Sequence, residues 1–440
     1  MKPRDKPPSS TVQSWNATPD RPPVALARLR RFSPLQNPRL QPPVSRTRLI
    51  VFVVAACLVA PPFVLADELD PVTSIESNAP SASAPVVHVL RPLEWILRSA
   101  HPELNYTYVR AEGVLSAPGA EETTTIQTVS LSTFFNLGQF ITFRYRPSWT
   151  YYSSDAFDNS FGHEAGLQFQ RSFGEWNVRA SHRYSDTSTP LVETGTQTSQ
   201  TLHMTNLQGQ RRLGARTTLE LGLRHATRRA DGFASSEDWS TQEWLHYQLT
   251  DKVGVAGGFL LGYASLDGGN DMNYRQINGR VRWRPTSKLW LDANAGVETR
   301  EFMESSVDNA NNPVYGATLT YQPFDHTTLT IEGDQALASS YFQNQIHRSN
   351  NWQARLSQRL FGRYQLGLSY RQRNASYSAT ADFIAVSRQD EGRTWRIDLG
   401  TAFYNRGAIT LFLQDKRNVS TDPRFAFDGQ QFGLQLNIAF

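Results

Sequence analysis

The stretch "FGLQLNIAF", residues 432–440, decides the fold. Phe432, Leu434, Leu436, Ile438 and Phe440 are apolar, and Gly433, Gln435, Asn437 and Ala439 between them are polar or small. A period of two places one set on each face of a β-strand. The pattern runs unbroken to an aromatic last residue, where a soluble domain ordinarily carries a few spare polar residues.

The same alternation extends back to Leu104. In "QFITFRYRPSW" (139–149), Ile141, Phe143, Tyr145 and Trp149 share one face, and Arg144 and Arg146 the other. "TTLELGLRH" (217–225) sets Leu219, Leu221 and Leu223 against Glu220, Gly222 and Arg224. "INGRVRW" (277–283), "LWLDANAGV" (289–297) and "TWRIDLGTAF" (394–403) repeat the scheme, and no later window sustains a helical period.

The connections alternate as well. Tight links such as "NLGQ" (136–139), "PTSK" (285–288) and "FDHT" (324–327) are separated by longer polar ones. Examples of the latter are "SDTSTPLVETGT" (185–196), "SSYFQNQIHRSN" (339–350) and "NVSTDPRFAFDG" (418–429). Short turns at one end and long loops at the other is the layout of a transmembrane antiparallel up-and-down β-barrel. Phe135, Phe173, Trp176, Trp283, Tyr321, Tyr364 and Phe403 flank the tight links with apolar-face parity, as interfacial aromatics do. Seventeen segments lie between Thr123 and Phe440, and "LNYTYVRAEGV" (104–114) supplies the upward strand that parity requires. The expected fold is all-β with 18 strands, 16 being the alternative. Periplasmic turns are short and extracellular loops long, and the apolar alternation faces lipid. In such a barrel the last strand pairs with the first.

Composition agrees. Of 440 residues only 19% are charged, so the polarity comes from uncharged side chains, and the net charge of +4 carries no nucleic-acid inference. The single cysteine, Cys57, excludes disulfides and thiolate metal sites. Residues 1–66 read as a basic, Pro-rich leader followed by a signal peptide. Arg46 and Arg48 precede the uncharged run from Leu49, with cleavage expected before Asp67. A membrane anchor through Leu49–Ala66 and a lipoprotein acylated at Cys57 are the alternatives. Residues 67–103 form a flexible periplasmic linker in which "PLEWILRSA" (92–100) could make two helical turns, and residues 104–440 form the barrel.

"YRPSWTYYSSDAFDNSFGHEAGLQFQ", "WSTQEWLHYQLTDKVGV", "NPVYGATLTYQPFDHTTLTI" and the terminal "FGLQLNIAF" resemble the beta-barrel porin 2 family, over nearly the whole chain from Leu104. The resemblance implies an outer-membrane barrel associated with exopolysaccharide secretion. Its motifs are structural, and no catalytic signature is among them. A terminal aromatic strand, Phe432 to Phe440, also resembles the signal read by the outer-membrane assembly machinery.

The polar face carries Arg144, Arg146, Arg179, Arg183, Arg224, Arg280, Arg282, Arg355, Arg359, Arg371 and Arg396, with fewer acids, among them Glu220, Asp292, Glu298, Glu332 and Asp398. A lumen lined by guanidinium forks would attract anions, including acidic sugars. Alternatively, the arginines pair with those acids across strands and merely solvate the lumen; sequence leaves both open, because register cannot be read from it. His347 and Ser349, in a long polar loop, have the His-x-Ser spacing of outer-membrane phospholipases, with no third group to orient the histidine. Metal-ligand spacing is absent and no cofactor is implied. The function expected is a passive, non-enzymatic pore for anionic or polysaccharide solutes. Its partners would be outer-membrane lipid, the assembly machinery and polysaccharide export components. An outer-membrane hydrolase and a structural or adhesive barrel are the other readings.

Overall fold

The computed structural model describes residues 102–440, apart from 304–306, 308, 383, 404 and 405. The leader, Cys57, the linker as far as residue 101 and the 92–100 segment lie outside the described residues. Eighteen strands follow in chain order. The first nine are β1 Glu103–Ala117, β2 Ala120–Leu137, β3 Ile141–Tyr152, β4 Ser160–Phe173, β5 Trp176–Leu191, β6 Thr196–Arg212, β7 Thr217–Ala230, β8 Ser236–Thr250 and β9 Val253–Leu266. The second nine are β10 Met272–Thr286, β11 Leu289–Phe302, β12 Ala310–Phe324, β13 Thr327–Ser339, β14 Gln345–Leu360, β15 Tyr364–Ala379, β16 Gln389–Phe403, β17 Gly407–Ser420 and β18 Phe427–Ala439.

Each strand pairs antiparallel with its neighbours in sequence, and β1 pairs with β18, so the sheet is closed and has no edge. The terminal alternation is what closes it. Leu104, Tyr106 and Tyr108 face Ile438, Leu436 and Leu434 in register, and the Phe440 amide donates to the Pro102 carbonyl. A bulge in β1 between Ala111 and Val114 ends this pairing. It holds Gly113 at φ +66°, where a Cβ would lie 2.4 Å from the Asp428 carbonyl oxygen; only glycine fits.

Parity sorts the two faces. Leu221, Val281, Ile397, Leu413 and Phe432 are exposed on the convex face, and Ile277 is 78% exposed. Hydrocarbon would cover such a surface. The aromatics beside the tight turns, including Phe173, Trp283, Tyr321 and Tyr364, are exposed on it too.

The connections divide by end as the sequence indicates, at two to four residues on one side (287–288 is two, 213–216 four). On the other they run from four (192–195) to nine (380–388), apart from two residues at 118–119. Most of the residues read as long loops are strand instead. β5 runs to Leu191 through "SDTSTP", and β14 begins at Gln345, so His347 and Ser349 lie in a strand and not in a loop. Strands of 12 to 18 residues exceed the 9–11 needed to span a bilayer. Beyond the membrane both faces can be polar while the backbone ladder continues, so the alternation fades before the pairing does.

Candidate functional site

The lumen face identifies itself by contacts that cross the ring. Arg228 on β7 donates to the carbonyls of Ser339 (3.2 Å) and Ser340 (2.7 Å) at the tip of β13, six strands away. Arg388, between β15 and β16, donates to the Glu193 and Val192 carbonyls (2.7 and 3.1 Å), between β5 and β6 and nearly opposite. Residues in register with these two share the concave side.

On that side lie all the arginines and acids read from the sequence. Four of the eleven arginines meet a carboxylate. Arg146 and Arg183 share Glu164 (2.5 and 3.5 Å), Arg282 meets Asp292 (3.0 Å), and Arg396 meets Asp398 (2.6 Å). Among the described residues, Arg144, Arg179, Arg224, Arg280, Arg355, Arg359 and Arg371 have no carboxylate within ion-pair distance. Cross-strand neutralisation is therefore partial, and the wall keeps an excess of positive charge. Glu220 is engaged by His246 and Gln208, and Glu298 by Arg300 and Gln276.

Several lumen arginines are held by rings. Arg280 lies over Trp244 (4.1 Å), Arg396 over Phe412 (3.8 Å), Arg300 over Tyr274 (4.8 Å) and Arg144 over Phe134 (4.9 Å). A guanidinium stacked on an aromatic face keeps its N–H edges available for acceptors. These rings face inward, whereas the sequence places aromatics on lipid. The signal was present as rings of opposite parity: Trp244 alternates with Leu245, and Phe412 with Leu411 and Leu413.

At the longer-connection end the lumen is bridged. The 340–344 tip leans across the ring, where the Glu193 carboxylate accepts from Ser340 Oγ (2.7 Å) and the Tyr341 amide (2.9 Å). The Tyr341 carbonyl accepts from the Ala234 amide (2.8 Å), and Arg228 covers the Tyr341 ring. Burial raises the Tyr341 hydroxyl above its ordinary value, so it remains the donor to Gln200. Arg388 is packed between Tyr377 and Phe425 and paired with Asp390 (2.6 Å). Gly195, at φ +70°, brings the 192–195 tip against the Phe425 ring. Beneath the bridge, Arg300 pairs with Glu298, donates to the Leu337 carbonyl and meets Met272 and the Tyr274 ring, two members of an apolar cluster that also holds Phe302 and Ile346. Glu193, Arg228, Arg300 and Arg388 were not singled out in sequence, because their partners lie up to 196 positions away.

His347 is buried with Nδ1 3.8 Å from Glu193, and Ser349 lies two residues on along the same strand; no hydrogen bond joins them. Among the described residues no group of His, Cys, Asp and Glu is placed to hold a metal.

No family model matches the chain, and no curated protein does. Among solved structures it is similar to OccAB4 of Acinetobacter baumannii (12% identity, 78% of this chain and 98% of that one, TM-score 0.43). It is also similar to OccK2 (OpdF) of Pseudomonas aeruginosa in complex with glucuronate (12%, 78% and 99%, 0.45) and to the outer membrane protein opdK of the same organism (12%, 78% and 99%, 0.43). Likeness at this level says nothing of the solute, and the chemistry of the site stands on this chain's own residues.

Proposed function

We propose that this chain is an outer-membrane, porin-like channel, a passive and non-enzymatic conduit for anionic or polysaccharide solutes linked to exopolysaccharide export. The observation that carries this reading is the lumen wall of a closed barrel on which seven arginines have no acid partner among the described residues. A convex face fit for hydrocarbon and a concave face rich in fixed donors suit conduction better than chemistry. Partly desolvated guanidinium groups raise the local concentration of anions and repel cations. The signal peptide delivers the chain to the periplasm, and the terminal strand Phe432–Phe440 presents it to the assembly machinery.

Refolded barrel in a planar bilayer tests this. A steady channel whose reversal potential in a salt gradient favours anions is expected. An absence of current together with lipid hydrolysis would replace it with the hydrolase reading, and an absence of both would leave a structural barrel.

A further inference from the structure

Four consecutive strands carry two hydrogen-bond rows on the lumen side. The upper row reads Gln353, Arg371, Thr394, Lys416 across β14 to β17; the lower reads Arg355, Ser369, Arg396, Gln414. Within each row every cation has a neutral neighbour, and between rows the cations stand on diagonals. Like charges directly opposite would repel at about 5 Å, whereas diagonal sites are about 7–8 Å apart. The result is a checkerboard of four cations interleaved with amides and hydroxyls.

Acids are scarce in the recess over these rows. Asp398 is the one acid lining it, and it is taken up by Arg396. Arg371 lays Nε and Nη2 on Gln353 (3.0 and 2.7 Å), which leaves Nη1 without a protein partner among the described residues. Arg355 and Lys416 have no hydrogen bond to a described side chain or carbonyl. The wall is also hollow. Gly367 and Gly400, facing the lumen one row or two below, contribute no side chains, and a recess of about 590 Å³ results. A second recess of about 230 Å³, reaching up to Glu193 under the bridge, adjoins it; the residues that line both are Arg371, Thr394 and Lys416. These two cations therefore stand where the space under the mouth passes into the main recess.

The geometry points to a discrete binding station on the β14–β17 wall for the oxyanion of a hydroxyl-rich solute, a carboxylated sugar being the class that fits. Arg371, Lys416 and Arg355 take the carboxylate, and Gln353, Thr394 and Gln414 take the ring hydroxyls. Charge-assisted bonds to a carboxylate are the strong ones, and the neutral positions between them match a ligand that alternates charge with hydroxyl. This rests on the channel reading, and it adds that the lumen's cations are unequal.

The test uses the full barrel in a planar bilayer, with galacturonate and galactose as probes. Galacturonate should give a saturable block that galactose does not. Arg371→Gln and Lys416→Gln should each raise the half-blocking concentration roughly tenfold, as for the loss of one charge-assisted hydrogen bond. Arg224→Gln, on β7 and equally without an acid, should change it less than about twofold, the scale of screened charge at a distance. Equal losses from all three variants would overturn the station while leaving an anion channel. Block by galactose would overturn recognition of charge. Equilibrium binding of galacturonate to the detergent-solubilised barrel, with the same variants, reads the station independently of current. Binding without current would fault the channel reading alone, and current without binding the station alone.

Discussion

Two acids on one strand show how differently the ends of this barrel are built. Asp292 and Glu298 are six residues apart on β11, both face the lumen, and each is paired with an arginine. Asp292 lies near a two-residue turn, its side chain is 49% exposed, and Arg282 beside it is as open. Glu298 is 2% exposed, locked to Arg300 beneath the hairpin that crosses the mouth. The same pairing is a wet, screened contact at one end and a desolvated, structural one at the other. What differs is the roof. At the tight-turn end no hydrogen bond crosses the lumen among the described residues, while at the other the 340–344 tip between β13 and β14 leans across it and buries the pair.

The largest expected effect breaks that contrast directly. Glu298→Gln leaves Arg300 buried without its counter-charge and should cost about 3–5 kcal/mol, as for other broken buried pairs. Asp292→Asn should cost no more than about 1 kcal/mol. Urea unfolding in lipid vesicles measures both. Equal, small costs would mean that the mouth is as wet as the turn end.

The next effect sharpens the same question across the wall instead of along it. Leu221 faces outward and Arg224 inward on β7. Leu221→Arg should cost about 2–4 kcal/mol if it lies near the midplane, since a charge then meets hydrocarbon. Arg224→Leu should leave the unfolding midpoint nearly unchanged and reduce the anion preference of the reversal potential. A harmless Leu221→Arg with an unfolding Arg224→Leu would invert the assignment of the faces.

The smallest thermodynamic effect is expected at the seam. Phe440, half exposed, sits at the rim of the convex face. Phe440→Asp should change the stability of the folded barrel by roughly 0–1 kcal/mol, the cost of a charge near the interface. Its yield on insertion should nevertheless fall, read by heat-modifiable gel mobility, if the terminal strand is, as proposed above, the part offered to the assembly machinery. Normal yield would remove that role from the residue.

The sequence made legible what a period of two can carry. Leu221, Val281, Ile397 and Phe432 announced the lipid face, and the alternating connections announced eighteen strands over sixteen. Arg371, Arg396 and Asp398 could be placed on the lumen side by the same count. Their pairing could not, because whether Arg371 meets an acid or Gln353 depends on register between strands. The bridge was illegible for a different reason. Ser340 and Tyr341 look like any polar turn, and their meaning lies in Glu193 and Arg228, more than a hundred residues away. The polar stretches around Ser185–Pro190 misled as loops, since their backbone stays paired after the facial pattern that reveals strands has gone.

The arginines stacked on Trp244, Phe412, Tyr274 and Phe134 have one more consequence, and it concerns time. A free arginine carries about 2 kcal/mol of rotamer entropy and would have to surrender part of it each time an anion arrived. Here that freedom is given up once, when the barrel folds and the ring beneath each guanidinium fixes its orientation. Arg300 and Arg396 give their donors to Glu298 and Asp398, but in the proposed channel an anion would meet those of Arg280 and Arg144 already in place and leave them unchanged for the next, so contacts that are individually strong need not become traps. If the barrel conducts as proposed, the readiness of these donors is set during folding.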